Sequence, residues 1–345
     1  MHGKGDHTLV DKKRITIRDV AKKAGVSIAT VSRFLNNSGY IDKQTAYRIK
    51  EVIDYYDYRP SRIAQGLKSK RSLQIILVVP DICNPFYASM YKAVQKKANK
   101  KGYNVILYNT NEDKNEEIEA IKLVTDIRAD GMIFSSIDYS EEVLNELIKV
   151  NVPVVGRNLP EGIELDNIRS IKGEGMYMTT KYLIGLGHKA IAYAGGSRDS
   201  KANRNKKYGY DTALDEAGIE HNSDYYFEMG FSMEEGYKAG RYFSTLDSVP
   251  SAICAANDLI AMGIIIAFTE CGIRVPDDVS VTGMDNIEYS ALIKPSLTTV
   301  TNDSLDFGNI ACQMLFDRIE GTYTDMPRVR EIPKKLIVRE STKRI

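Results

Sequence analysis

No apolar run in the 345 residues approaches the roughly 18 consecutive apolar positions a membrane-spanning helix needs, and the opening MHGKGDHTLVDKKR lacks the apolar block of a secretory signal. The expectation is a chain that stays in the cytoplasm and has no membrane partner. Cysteine is sparse: Cys83, Cys254, Cys271 and Cys312 are widely scattered and form no CxxC pair. The four histidines, His2, His7, His188 and His221, show no metal-ligand spacing, so the thiols are read as reduced and structural and no metal is expected. Catalytic signatures are also missing. There is no GxSxG, no HExxH and no comparable nucleophile or carboxylate arrangement, and no glycine-rich phosphate loop follows the first strand. Neither an enzyme nor a cofactor is expected, and no catalytic residue is named.

What is present is an uneven distribution of charge. The overall formal charge is only +1, yet Lys12 to Arg71 holds fifteen Lys and Arg against five Asp and Glu. A basic block of this kind points to an anionic partner. Length adds that one ordinary core is too small for the chain, so a small unit and a large, itself divided region are expected.

In TIRDVAKKAGVSIATVSRFLNN the apolar residues Ile17, Val20, Ala21 and Ala24 recur at helical spacing, Gly25 interrupts, and Val31, Phe34 and Leu35 resume. Ala21 permits a close crossing, Gly25 can take positive φ, and Ser27 can cap the second helix. This is helix-turn-helix spacing. A third helix is expected from about Lys43 to Tyr56, with Ala46, Ile49, Val52 and Ile53 inward. The second helix would offer Ile28, Ala29, Ser32, Arg33 and Asn36 to the major groove. Arg33 can fork onto guanine, and Ile28 and Ala29 can meet thymine methyls. Thr16, Ser27, Thr30, Tyr40, Thr45 and Tyr58 are placed for phosphates, and Ile17, Ser61, Arg62, Gln65 and Leu67 complete the expected DNA-contacting set.

The next segment, YRPSRIAQGLKSKRS, contains barely two turns from Ser61 to Leu67, weakened by Gly66, and should fold only on a partner. With the preceding motif it resembles the LacI/GalR family of transcriptional repressors along about 55 residues. The resemblance implies a hinge helix packed against its dimer mate in the minor groove, with Leu67 wedged at the central base step. It also implies a homodimer on a pseudo-palindromic double-stranded operator. LIVREST resembles the family's closing strand, and little follows it, without the leucine-heptad tail that makes some relatives tetramers.

From Leu73 onward, short β-rich runs (LQIILVVPD, YNVILYN, DGMIFSS, VPVVGRN, HKAIAYAGG, DYYFEMGF, SAICAAND, DVSVTGMD) alternate with helical ones, which means parallel sheets with helices on both faces. The expected fold is a small all-α helix-turn-helix domain plus an α/β core of two doubly wound parallel-sheet subdomains. The resemblance implies that this core is of the periplasmic-binding-protein-like type, with a ligand cleft between two lobes and about three chain crossings. The expected limits are an arm over 1–14, the helix-turn-helix over 15–59, a hinge over 60–71 and the core over 72–345. Within the core, one subdomain would take about 72–172 and 303–331, and the other about 173–302 and 332–345.

Ligands of such sheets sit beyond the carboxyl ends of the strands. That selects Phe86 and Tyr87 in NPFY, Ser135 and Ser136, Arg157, Arg198, Arg204, Lys206, Phe231, Asn257 and Asp285 as effector-contacting candidates. Asn257 and Asp258 could equally cap a helix, and Phe86 could be core. Two departures from the family pattern stand out. Lys206 lies four residues before Tyr210 where many members carry arginine, which changes bidentate recognition, and Gly156 stands in VVGRN where VDR is common. The expected function is repression of a carbohydrate-utilisation operon under a sugar or sugar-phosphate effector. Alternatives are a catabolite-control regulator driven by a phosphorylated carrier protein, for which lysine at this place has precedent, or a sugar-binding transport component.

Overall fold

The computed structural model describes residues 15–35, 38–58, 71–302 and 304–345. The chain separates into two compact units, one ending at Ser72 and the other beginning at Leu73. In the first, α1 (Ile17–Ala24), α2 (Ile28–Leu35) and α3 (Lys43–Tyr56) enclose Val20, Ala21, Ala24, Val31 and Ile49. Local chemistry sets each boundary. Thr16 and Asp19 form a reciprocal capping box at the start of α1, and Gly25, at φ 66°, ends it by returning its N–H to Ala21 and Lys22. Ser27 Oγ accepts from Thr30 N at 3.1 Å and opens α2, and Asp42 caps α3.

The second unit runs β1 (Gln74–Val79), α4 (Pro85–Lys100), β2 (Asn104–Asn109), α5 (Lys114–Asp126), β3 (Gly131–Ser135), α6 (Glu141–Leu147), β4 (Val154–Arg157) and β5 (Asp166–Arg169). It continues through α7 (Glu174–Gly185), β6 (Ile191–Gly195), α8 (Lys201–Glu216), β7 (Tyr226–Glu228), α9 (Met233–Ser244), β8 (Ala252–Ala255), α10 (Asp258–Glu270) and β9 (Ser280–Thr282). β10 (Thr299–Val300), α11 (Ser304–Glu320), β11 (Val329–Glu331) and β12 (Leu336–Ile337) follow. Two parallel sheets result, ordered β11-β5-β4-β3-β1-β2 and β7-β6-β8-β9, and β10 pairs antiparallel with β12. Helices cover both faces of the first sheet, so β1 is apolar at consecutive positions. Ile75, Leu77 and Val79 pack with Met90 and Phe316 on one face, and Ile76 and Val78 with Ala120 and Val143 on the other.

The first lobe is discontinuous because α11 and β11 return to it. Asp166, at the start of β5, fastens them: its buried carboxylate meets Arg318 at 2.8 Å and Arg328 at 3.0 Å and accepts the Arg328 backbone N–H. Burial opposes its ionisation, but the two guanidinium groups hold its pKa below the ordinary carboxylate value. In the second lobe, α9 and α10 cross closely because Gly236 and Gly263 lack side chains. A Cβ at Gly236 would lie 2.3 Å from Ile260 O, and one at Gly263 would lie 2.2 Å from Met233 O.

Two expectations change. β5 was not among the expected strands, because DNIR has one apolar residue and opens with Asp166 and Asn167, which read as loop; its pairing between β4 and β11 decides it. The closing LIVREST is strand only at Leu336–Ile337. Beyond that point, side chains stitch it into the second lobe, with Ser341 Oγ donating to Val281 O at 2.6 Å and Arg339 bonding Leu297 O and Asn286. No helix among the described residues is long and apolar enough to cross a membrane, and the cysteines are free.

Candidate functional site

Two places carry recognition chemistry, one in each unit. On α2 the inward stripe is Val31, and the opposite side leaves Ile28, Ala29 and Arg33 exposed, with Ser32 half-buried. Ile28 is 46% exposed although it is a large aliphatic, which folding alone does not require. Tyr40 is exposed beyond α2. Thr16 and Ser27 are committed to caps, and Thr30 Oγ1 lies 2.9 Å from Ser27 Oγ, so these hydroxyls sit at helix N-termini where phosphates bind. Thr45 is half-buried in the first turn of α3. Ile17 and Tyr58 pack partly against the small core and offer only their edges. Asn36, Ser61, Arg62, Gln65 and Leu67, and with them the expected hinge helix, lie outside the described residues.

In the second unit a cavity of about 820 Å³ opens between the lobes. The first lobe contributes Phe86 and Tyr87 at the start of α4, Ser136 after β3 and Arg157 at the end of β4. The second contributes Lys206 from α8, Phe231 after β7, Asn257 after β8 and Asp285 after β9. All stand at carboxyl ends of parallel strands or on the helices that follow them. One hydrogen bond joins the lobes beside the cavity, from Ala202 N at the start of α8 to Asp138 Oδ1 at 2.9 Å.

Burial shapes the electrostatics. The Tyr87 hydroxyl is pushed up to about 12 by burial. Asp258, at 0% exposure, is pushed up to about 8 by burial and then by the Asp285 carboxylate, against hydrogen bonds from Thr299 Oγ1 (2.5 Å) and Ile287 N (2.9 Å). Lys206 is drawn down by burial, opposed by Asp285. Its ammonium donates to Ala256 O at 2.5 Å and lies 5.4 Å from the Phe231 ring centre. Asp285 itself stands at φ 113°, a conformation that costs a non-glycine residue energy and persists where surrounding structure holds it.

Three candidates fall outside the cavity. Ser135 belongs to β3 and is fully buried; successive strand residues face opposite ways, so it points away from the cavity that Ser136 lines. Arg204 sits two residues from Lys206, roughly 200° round the helix, and bonds Asp199 O at 2.6 Å instead. Arg198 pairs with Glu228 at 3.1 Å, with its side chain 75% exposed. Asn257 does line the cavity and also caps α10, accepting from Ile260 N at 2.8 Å, and Phe86 is both cavity wall and core. The Gly156 departure has a local cause: a Cβ there would lie 2.3 Å from Leu159 Cδ1, so Leu159 occupies the space a side chain would need.

Residues on the chain crossings were missed as candidates. Gly173 to Met176, Asn302, Glu331 and Lys334 all line the cavity. A signal existed, since segments passing between two lobes must border the space between them.

Comparison with known proteins agrees with this geometry. A family described as bacterial regulatory proteins, lacI family, matches residues 16–61, and one described as periplasmic binding protein-like domain matches residues 180–342. Catabolite control protein A of Priestia megaterium is 32% identical over 331 residues, 95% of this chain and 99% of that protein. The HTH-type transcriptional repressor PurR of Mannheimia succiniciproducens is 33% identical over 333 residues, 96% of this chain and 99% of that protein. Among solved structures, the lac repressor dimer bound to operator and the anti-inducer ONPF matches at a TM-score of 0.84 and 25% identity, covering 96% of this chain and 100% of that one. The complex of the transcriptional regulator CelR with cellobiose matches at 0.71 and 27%, covering 95% and 100%.

Proposed function

The chain belongs to the lacI family of bacterial regulatory proteins and is a DNA-binding transcriptional regulator, and from that premise we propose that it represses a carbohydrate-utilisation operon under a small effector held in the interlobe cavity. The observation that carries the effector reading is the cavity itself. It combines rings able to stack on a sugar face, Tyr87 and Phe231, with Asp285 and Asn257 able to bond hydroxyls. The cellobiose complex of a structural relative supports a carbohydrate ligand.

On this reading the protein acts in the cytoplasm as a homodimer, each head taking half of a pseudo-palindromic operator, and regulates by binding with no chemical step. Arg33, Ile28 and Ala29 read bases, while Thr16, Ser27, Thr30, Tyr40 and Thr45 hold phosphates. The first subdomain comprises about 72–172 with 303–331, and the second comprises 173–302 with 332–345. These limits fit two sheets of which the first recruits β11.

The test measures operator affinity by fluorescence anisotropy against a panel of carbohydrates and their derivatives. A true effector should move that affinity about 5- to 150-fold. Phe231→Ala and Asp285→Asn should abolish the response without changing effector-free operator affinity. Arg33→Met should lose about 10- to 100-fold of specific affinity while leaving weak, salt-sensitive binding to random DNA. An effector response that survives both cavity substitutions would place the ligand elsewhere.

A further inference from the structure

The half-buried cations of the cavity, Lys206, Lys334 and Arg157, differ from Arg169 at its exposed edge, which pairs with Glu331 at 2.9 Å. Lys206 Nζ donates to one carbonyl, Ala256 O, and otherwise touches Met284 Sδ at 3.6 Å. Lys334 Nζ donates to Asn302 Oδ1 at 2.9 Å. Arg157, from the first lobe, lays its guanidinium 4.9 Å from the Phe86 ring centre and 5.8 Å from that of Phe307. None of the three makes an ion pair among the described residues. An ammonium has three donors and a guanidinium five, so most of this donor capacity is unused.

Two half-buried carboxylates share the space. Asp285 accepts from Asn302 Nδ2 at 3.0 Å, and Glu174 has a buried Oε2 with no partner. Asp258 lies behind them and does not line the cavity, and burial pushes its carboxyl up to about 8. Among the half-buried charged residues of the lining, three cations therefore face two anions, while the exposed ones, Arg169, Lys172 and Lys201 against Asp138, Glu161 and Glu331, balance. Lys334 registers the excess: its pKa falls to about 8, through burial first and the Arg157 charge next, with Lys206 adding to it and Asp285 and Glu174 opposing. A neutral ligand closing this space would seal in an uncompensated positive charge, which is unfavourable once water leaves. An anionic one would cancel it through charge-assisted hydrogen bonds.

We propose that the effector carries an anionic group, a carboxylate or a phosphate, on a polyhydroxylated body, and that Lys334 holds this group together with Arg157 and Lys206. Asp285 and Glu174 are left to accept the hydroxyl protons of the body. The position of Lys334 explains why it serves both lobes: it lies on the crossing between β11 and β12, and its stem passes over Gly175, where an added Cβ would come within 3.3 Å of Lys334 Cδ. The inference rests on the reading of the cavity as the effector site.

The experiment uses the full-length protein. Thermal unfolding is followed in inorganic phosphate and in acetate, each against sodium chloride at equal ionic strength, for wild type, Lys334→Met, Lys334→Arg and Arg157→Met. At least one anion should raise the wild-type midpoint, and the arm that responds tells phosphate from carboxylate. Lys334→Met and Arg157→Met should weaken that anion about tenfold or more, and Lys334→Arg should restore much of it. No stabilisation by either anion, or equal stabilisation of wild type and Lys334→Met, overturns the proposal. A second arm measures operator affinity with aldonic acids, sugar phosphates and the parent neutral sugars. A neutral sugar that shifts operator binding equally in wild type and Lys334→Met sinks the anion proposal and leaves the cavity reading standing. Lys334-dependent anion binding in the first arm, with no member of the second moving operator affinity, supports the anion site and removes the effector reading instead.

Discussion

Five side chains form the buried centre of the head, and two of them are alanines: Val20, Ala21, Ala24, Val31 and Ile49. The second lobe of the core buries Tyr193, Tyr210, Phe243 and Phe268 at the centre of one of its clusters, and the first lobe adds two clusters on the faces of its sheet. A unit with so little apolar surface depends on its helix ends, and the head has a capping box, a left-handed glycine and side-chain caps at all three helix starts. The core, with its larger buried clusters, holds groups that oppose folding, including Asp258 and Glu117 with raised carboxyl pKa values and Asp285 at positive φ. Burial in the head stabilises the fold, whereas part of the burial in the core serves the cavity.

The largest effect that would sharpen this contrast is expected from Asp166→Ala, which leaves Arg318 and Arg328 without their shared carboxylate. The core should lose about 3–5 kcal/mol, read from its denaturant midpoint, while the isolated head's folding does not change. A loss below about 1 kcal/mol would mean that the return of α11 and β11 is held by apolar packing alone. Gly236→Ala should cost the core about 1–3 kcal/mol, because the added methyl meets the backbone of Ile260.

Matched cap removals compare the units directly. Thr16→Ala in the head and Ser232→Ala at the start of α9 should each cost about 1 kcal/mol. The first should weaken operator binding at every temperature, since Thr16 also holds a phosphate on the proposed reading, and more so at elevated temperature, whereas the second should leave binding unchanged. Equal effects on binding would break the comparison.

The smallest effect concerns pH. Burial pushes the Glu117 carboxyl up to about 7, against a hydrogen bond from Ser136. The folded chain thus holds this proton more tightly than the unfolded one. Its contribution to stability is full below about pH 4.5 and is lost as pH rises through about 7. Glu117→Gln should flatten that part of the core's stability profile, and an unaltered slope would assign it to another group.

Most of the architecture was legible in the chain. The period of 3.6 located α1 to α3, and short β-rich apolar runs located the eight main strands, because burial of one face, or of both, dictates where apolar residues must recur. β5 was illegible because Asp166 and Asn167 read as loop, and only neighbours on either side make DNIR a strand. Site residues were legible where strand ends announce them, as at Phe86, Tyr87, Arg157 and Asp285. They were not legible where helix phase decides, as at Arg204, or where distant crossings converge, as at Lys334 and Asn302.

The sequence by itself determined the two kinds of unit, the face that α2 turns outward and the alternation that builds parallel sheets, since each follows from spacing along a few consecutive turns or strands. The tertiary structure alone decided which charges meet. Lys206, Lys334, Arg157 and Asp285 are separated by up to 177 positions, and no local pattern records that folding places three half-buried cations and two half-buried carboxylates around one cavity. The lowered pKa values of Lys206 and Lys334 come from burial between the lobes, a property of the assembled fold and not of any segment.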